Sequence, residues 1–351
     1  MTGPQPRYEI RAATSADQTE VLALAEHLNS VNLPHDGAAI GEVLEASDNG
    51  FSGNQGDPRK RQYVFVLRDL ERDVAVGTSM IIGQKGNRDA AYIYLNVNTE
   101  EKYSPTLDKY FAHQVLSMGY SYNGPTEIGG LVIHPDYRRV PEKLGMMISY
   151  VRFLWIASHR ENFQNYILAE LMPPLEDDGT SHLWEAVGRR FTGMSYREAD
   201  RLSKYNKAFI RSLFPDGDIY ATLLSGAAQA VIGEVGRETR GVEKLLRRIG
   251  FRYIDRVDPF DGGPHFAGET DEITLVRQTE ERRVRTFSGE GRRALVGRHY
   301  DRAPWFRCIA AEVGLDRQGE VGLDEAVRAH LDLAVDDRVS VLPLTRARPA
   351  E

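Results

Sequence analysis

Cysteine occurs once in the 351 residues, at Cys308. No intramolecular disulfide can form, and a reducing compartment is the simplest setting for such a chain. No stretch approaches the ~20 apolar residues that span a bilayer. The segment MTGPQPRYEIRAATSADQ lacks the apolar core of a signal peptide. Together these absences lead us to expect a cytoplasmic protein with no membrane partner. A basic excess is missing as well: 44 Lys and Arg stand against 51 Asp and Glu, a net charge of −7, which argues against nucleic-acid binding. HExxH, CxxC, GxxxxGK[ST] and GxSxG patterns do not occur, so zinc-protease, zinc-ribbon, P-loop and α/β-hydrolase chemistry lack support. His113, His134, His159 and His182 do not show metal-ligand spacing, and no metal is expected. Cys308 sits in the apolar run FRCIAA and reads as a buried, inert thiol.

What is present is an ordinary globular composition, 41% hydrophobic and 27% charged, with room for two domains. Tyr8–Ala12 alternates as a strand, and Ser15 starts a helix through Val21, Leu22 and Leu24. A second helix covers roughly Ala38–Ala46, and the Gly- and Asn-rich Ser47–Arg59 reads as a loop. Tyr63–Leu67 and Ala75–Ile82, separated by DLERD, form a hairpin signature. Ala91–Val97, Thr126–Ile133 and Asn165–Leu171 add strands. LWEAVGRRFTGMSY (183–196) and VEKLLRRIGFRYIDRV (242–257) each read as a helix ending at Gly, at Gly188 and Gly250, then passing into a strand. Beyond DGGP (261–264), short β runs are expected at Ile273–Val276, Arg307–Ala311 and Arg338–Pro343, with a helix at Leu323–Leu333. The arginine clusters Arg247–Arg248 and Arg282–Arg285 read as solvated faces. The expected division is a core at 1–260 and a small, mostly β unit at 261–351.

The most informative stretch is Thr126–Arg160: a buried strand, a turn carrying Arg138, Arg139 and Lys143, and an amphipathic helix from Leu144. The helix start leaves N–H groups unpaired beside three cations, the sequence form of an anion site. An ordinary strand–helix crossover is the alternative reading of the same pattern.

Several motifs then fall into one order: YVFVLRD (63–69), TEIGGLVIHPDYRR (126–139), LWEAVGRRF (183–191), KAFIRSLFP (207–215), IYATLLSGAAQAVIGEV (219–235), GFRYIDRVDPFDGGP (250–264) and DDRVSVLPL (336–344). Together they resemble the arginine N-succinyltransferase family, a branch of the GNAT-type acyl-CoA N-acyltransferases. The resemblance implies an α/β (α+β) fold with a GNAT-like mixed central sheet flanked by helices. It also implies succinyl-CoA as co-substrate, no permanently bound cofactor, and a small amine, the α-amino group of L-arginine, as acceptor. The amine would attack the thioester directly, with one group taking its proton and a backbone N–H stabilising the oxyanion. Leu131 occupies the position resembling the family's succinyl-CoA contact. With the anion turn read above, Leu131, Val132, Ile133, Arg138, Arg139, Lys143, Leu144 and Gly145 are the candidate CoA-binding residues. Family members assemble as oligomers, so a homo-oligomer, or a hetero-oligomer with a related subunit, is implied.

The chain departs from the family pattern at the places that matter for chemistry. The family's proton-handling histidine corresponds here to Gly236, within VIGEVGRET. Glu234 and Glu238 flank it and are candidate replacements, the alternative being two exposed glutamates. The anion turn RRVPEKLG is about two residues longer than the family's, and Pro141 removes one N–H donor. The N-terminal LNSVNLPHD (28–36) replaces a Gly-rich family loop, and Met172 with Pro173 and Pro174 stands where an arginine is expected. Glu170 and His265 are the candidate substrate-binding residues. A structural hydrogen bond for Glu170, and a structural or exposed role for His265, are the alternatives. Transfer between another amine and another acyl-CoA, or a non-catalytic regulatory subunit, are the competing functions.

Overall fold

The computed structural model describes residues 5–27, 33–88, 90–203, 208–287, 289–316 and 318–344. The first half of LNSVNLPHD (28–32) and Lys207 of KAFIRSLFP therefore lie outside the described residues.

Along the chain, β1 (Tyr8–Ala12) leads into α1 (Gln18–Ala25), α2 (Gly37–Phe51) and the hairpin β2 (Gln62–Asp69)–β3 (Val74–Ile82). A long hairpin, β4 (Tyr92–Ser104)–β5 (Lys109–Ser121), precedes β6 (Thr126–Ile133), α3 (Leu144–Ser158) and β7 (Tyr166–Glu170). Next come α4 (His182–Ala186), α5 (Gly188–Thr192), α6 (Tyr196–Ser203), α7 (Ala208–Leu213), β8 (Ile219–Tyr220), α8 (Gly226–Val231) and α9 (Arg240–Ile249). The remainder is β9 (Arg252–Val257), β10 (Pro264–Glu269), α10 (Thr274–Gln278), β11 (Glu280–Thr286), β12 (Arg292–His299), β13 (Phe306–Leu315), β14 (Glu320–Leu323), α11 (Glu325–His330) and β15 (Arg338–Pro343). The mixed α/β class expected from the sequence holds.

These elements form two compact units, each built from separated segments. Unit 1 comprises Met1–Gly83, Ile128–Gln164 and Thr270–Glu351; unit 2 comprises Gln84–Glu127 and Asn165–Glu269. The expected division after Phe260 falls inside unit 2, between β9 and β10. Those two strands pair with each other, so Asp261 starts a turn within a sheet and not a new domain.

In unit 1 the strand order is β12-β15-β11-β14-β13-β1-β2-β3-β6. An additional β12–β13 pairing closes the five C-terminal strands into a small barrel, which leaves no free edge among them. Val284, Val296, Ile309, Val313, Val321, Leu331 and Val341 fill it. The N-terminal helices α1 and α2 cover β2 and β3 through Val21, Ile40, Leu44, Val64 and Val66. Helix α3 is buried on nearly every side, as a helix apolar all round must be.

In unit 2, β7, β10, β9, β4, β5 and β8 follow one another, with Thr126 and Glu127 of β6 parallel to β7. Helices α4–α8 pack Leu183, Trp184, Ala199, Ile210 and Val231 onto Ile93, Leu95 and Leu116.

Several elements differ from the sequence expectation. Helix α2 runs on to Phe51 because Ser47, placed in a loop by composition, is fully buried and its hydroxyl accepts from Val64 N–H at 2.8 Å. Residues 183–196 contain no strand. Gly188 starts α5 and does not end α4; a Cβ there would lie 2.2 Å from Trp184 Cε3, and Gly193, at φ +71°, ends α5. Ile273–Val276 is the start of α10, not a β run, a four-residue apolar segment being ambiguous between the two. The distal β4–β5 hairpin is exposed and carries no burial pattern that would reveal it, and β12 was not expected although its centre, Ala294–Gly297, is buried. Arg282 is not solvated: its guanidinium donates to the Asp316 and Glu320 carbonyls at 2.9 and 3.0 Å.

Candidate functional site

In unit 1, β6 ends in a turn capped by His134, whose Nδ1 accepts from Asp136 N–H at 3.4 Å. Gly130, at φ +55°, lies within β6 just before Leu131, and its carbonyl accepts from Thr78 Oγ1 at 2.9 Å. Leu131 is left half-buried, whereas Val132, Ile133 and Leu144 are buried in the core. These three can meet a ligand only through backbone atoms. Lys143 occupies the N-cap of α3 in the left-handed conformation, φ +58°. Its exposed side chain stands with those of Arg138 and Arg139 at the positive end of a 15-residue helix. Arg138 is partly committed, since its Nε donates to the Ile133 carbonyl at 3.1 Å. At exposed Gly145 a Cβ would meet only Ile133 Cγ1, at 3.8 Å, so the helix start is open to an anion.

The Gly236 position lies in unit 2. Its N–H donates to the Met172 carbonyl at 2.8 Å, and a Cβ there would lie 2.7 Å from the Pro173 carbonyl oxygen. A side chain at 236 therefore requires the 172–173 backbone to move. The two sequence departures, glycine for histidine and Met-Pro for arginine, occupy one contact. Glu234 and Glu238 flank this glycine as exposed side chains.

Glu170 and His265 are brought together by strand register: β7 and β10 run antiparallel with Glu170 opposite His265. His265 is fully buried, its Nε2 3.4 Å from Glu170 Oε1 and its Nδ1 2.6 Å from the Tyr92 hydroxyl. Burial, reinforced by the charge of Glu170, pushes the Tyr92 phenol far up, so it stays protonated and donates to Nδ1. That hydrogen bond assigns the remaining ring proton to Nε2, facing the carboxylate. On the other side of Glu170, Lys85 Nζ lies 2.7 Å from its Oε1 and 3.0 Å from Glu127 Oε1. Burial pulls the Lys85 pKa down, but the two carboxylates outweigh it and hold the ammonium above its ordinary value.

Two aspartates complete the cluster. Asp258 supplies a carboxylate oxygen that, with ligand atoms of Glu170 and His265, forms a set all within 4.8 Å of one another. Asp261 is held well above the usual carboxylate range by burial and by the charge of Asp258. Its Oδ1 accepts from Gly263 N–H at 2.8 Å, which fixes the DGGP turn. Such a set has the donors for a cation, yet Glu170 is already engaged by an ammonium. With Lys85 the site itself demonstrates how its carboxylates hold an amine.

Of the sequence candidates, the β6–α3 group clusters within unit 1 and the Glu170–His265 pair within unit 2. Glu234 and Glu238 do not join the pair's hydrogen-bonded network. Lys85, Glu127, Tyr92, Asp258 and Asp261 were not singled out from the sequence. Only the run DPFDGG, with two acids beside a glycine turn, carried any local signal of them.

Comparison with known proteins adds an independent line. The family described as arginine N-succinyltransferase beta subunit matches residues 8–275. An arginine N-succinyltransferase of Yersinia enterocolitica is 34% identical over 278 residues, covering 78% of this chain and 79% of that protein. One from Citrobacter koseri is 33% identical over 274 residues, covering 77% and 78%. Among solved structures, the arginine/ornithine succinyltransferase subunit AI from Pseudomonas aeruginosa superposes with a TM-score of 0.83 at 25% identity, covering 97% of this chain and all of that one.

Proposed function

The chain belongs to the arginine N-succinyltransferase family, and on that premise we propose that it transfers the succinyl group of succinyl-CoA to the α-amino group of L-arginine. The neutral amine attacks the thioester carbonyl carbon, a C–N bond forms, the C–S bond breaks, and the sulfur leaves as the CoA thiolate. The proton shed by the amine goes to a protein base and the thiolate is reprotonated, so no other reactant is consumed. In this reading the backbone of Leu131–Ile133 holds the acyl arm, while Arg138, Arg139, Lys143 and the amides of Leu144 and Gly145 take the pyrophosphate.

The observation that carries the assignment of chemistry is the Tyr92–His265–Glu170–Lys85 chain of contacts. When the Tyr92 hydroxyl yields Nδ1, this buried imidazole can accept a proton there, and the Glu170 carboxylate facing Nε2–H stabilises the resulting imidazolium. We assign it the role that the family gives to a histidine at the position of Gly236. Glu127, Glu170 and Asp258 supply negative charge for the cationic acceptor. The exposed Glu234 and Glu238 lack this environment and are second-choice bases.

A specific feature favours one other reading, a non-catalytic relative: Gly236 cannot handle a proton and its surroundings leave no room for the lost side chain. Mixing the purified chain with panels of acyl-CoAs and amines, and following free thiol, separates the readings. Turnover confined to succinyl-CoA with arginine supports the proposal, and turnover with other pairs assigns different substrates. CoA binding by calorimetry without any turnover identifies the non-catalytic relative. We also place the protein in the cytoplasm as an oligomer. What supports the first is its lone cysteine and the lack, among described residues, of a helix long and apolar enough to cross a membrane.

A further inference from the structure

Helix α3 carries a charge that the fold does not balance. Arg152 is 2% exposed, and no carboxylate of the described residues pairs with it. Burial alone pulls its pKa down to about 9, with no neighbouring charge to oppose the shift. Lys85, though less buried, is held by two carboxylates. A buried cation without a counterion is destabilising, and an apolar side chain would suit the inside of this helix better.

What Arg152 does have is neutral oxygen. Its Nε donates to the Ser149 carbonyl at 3.0 Å and its Nη2 to the Ser149 hydroxyl at 2.7 Å. Nη1 reaches only the Gly129 carbonyl, at 3.5 Å. A guanidinium has five N–H donors, so two of them have no acceptor among the described residues. Ser149, one turn earlier on α3, thus fixes the fork from one side and leaves it able to take a two-pronged acceptor.

Position narrows the choice of anion. Gly145 lies beside Ile133, and Arg152 beside Gly129, so α3 runs antiparallel to β6. Seven residues of helix place the guanidinium about 10 Å from the anion-binding helix start. Half-buried Leu131 falls between the two ends.

We propose that Arg152 is a specificity-determining residue of the acyl-donor site: it pairs with the free carboxylate of a dicarboxylic acyl group and so selects succinyl-CoA over uncharged acyl-CoAs. This rests on the acyl-transfer reading above, with the pyrophosphate at the start of α3 and the arm along Leu131–Ile133. An arm laid that way runs down β6 toward Gly129. Beyond the thioester a succinyl group still has two methylenes and a carboxylate, which carry it on toward Arg152, whereas an acetyl group stops short. The carboxylate accepts the two remaining N–H donors in the bidentate pairing that suits a guanidinium. The burial that makes the lone charge costly makes that pairing strong.

Butyryl-CoA carries a methyl group where succinyl-CoA carries its carboxylate, so calorimetry with the two thioesters, and no amine present, tests the role. The parent chain should bind succinyl-CoA on the order of 100-fold more tightly. Arg152→Met keeps the apolar stem and should abolish that ratio by weakening succinyl-CoA alone. Arg152→Lys keeps the charge without the fork and should retain only part of the ratio, which gives a second reading if the methionine variant does not fold. Equal binding of both thioesters by the parent overturns the assignment alone. So does a ratio that either substitution leaves intact, or a folded Arg152→Met that loses both ligands equally, since that marks a purely structural tie between α3 and β6. A chain that binds no acyl-CoA overturns the acyl-transfer reading and this assignment together. Arg152-dependent preference for succinyl-CoA without turnover of any amine upholds the assignment while the acyl-transfer reading falls.

Discussion

Glu170 and His265 face one another across the antiparallel β7–β10 ladder, carboxylate oxygen 3.4 Å from imidazole nitrogen, although 95 residues separate them in the chain. Neither is informative alone. Their pairing, with Tyr92 on one side and Lys85 on the other, joins an isolated glutamate and an isolated histidine into one connected chain of contacts.

His265→Gln keeps a side chain of similar reach but removes the imidazole. It should lower kcat about 10²- to 10⁴-fold. Glu234→Gln should leave kcat unchanged. Steady-state thiol release distinguishes the two, and the reverse outcome would return the role to Glu234.

Lys85→Met leaves Glu127 and Glu170 facing each other without their shared cation, and should cost about 3 kcal/mol at neutral pH. The Lys85 pKa is raised on folding. Its contribution is therefore complete below the unfolded value of 10.5 and is lost as pH rises through the higher folded value. Urea unfolding between neutral and strongly alkaline pH should show this loss in the parent protein and not in Lys85→Met.

Glu9, buried in unit 1, accepts from Arg307 at 2.8 Å and contacts His330 Nε2 at 2.8 Å. Burial alone would raise its pKa, but the His330 and Arg307 hydrogen bonds win and hold it below the ordinary value. The stabilisation is therefore present above the unfolded glutamate value and disappears as pH falls through the folded one. Glu9→Gln should shrink the acid-induced loss of stability, read as the change in urea midpoint between neutral and acidic pH.

Gly236→His would restore the family's residue type in a place that no longer accepts it. With the Cβ 2.7 Å from the Pro173 carbonyl, the change should lower stability by roughly 1–3 kcal/mol. No gain in turnover is expected, and a faster enzyme would refute our assignment of the proton to His265.

Lys143→Gly separates backbone from charge. Glycine is at ease at the left-handed N-cap, so stability should rise by about 1 kcal/mol. Affinity for CoA should fall several-fold and lose part of its salt dependence, as calorimetry at two ionic strengths would report.

Much of the architecture was legible in the chain because burial writes a period into sequence. The β2–β3 hairpin shows as two apolar runs around DLERD, and both strands are buried over most of their length. The same logic explains the omissions. The outer part of β5 is exposed, so KYFAHQ carries no alternation to read, and the exposed Tyr103 and Tyr110 look like any surface aromatics. The β6–α3 turn was visible because its cations lie within a few residues of one another. The Glu170–His265 cluster was only half visible, since Lys85, Glu127, Glu170, Asp258 and His265 converge through strand order alone. Gly188 misled because packing against Trp184, not chain reversal, demands a glycine there.

The pairing of β1 with β13, Ile10 opposite Cys308, has a consequence for biosynthesis. One edge of β1 finds β2 soon after emerging from the ribosome, but its other edge stays vacant until nearly 300 more residues have been translated. Unit 2 can complete itself while unit 1 still lacks its last segment, Thr270–Glu351. During that interval the nascent chain displays an open strand edge, the kind of surface that chaperones shield. Ribosomes stalled before β13 should therefore carry a folded unit 2 tethered to an unfinished, aggregation-prone unit 1.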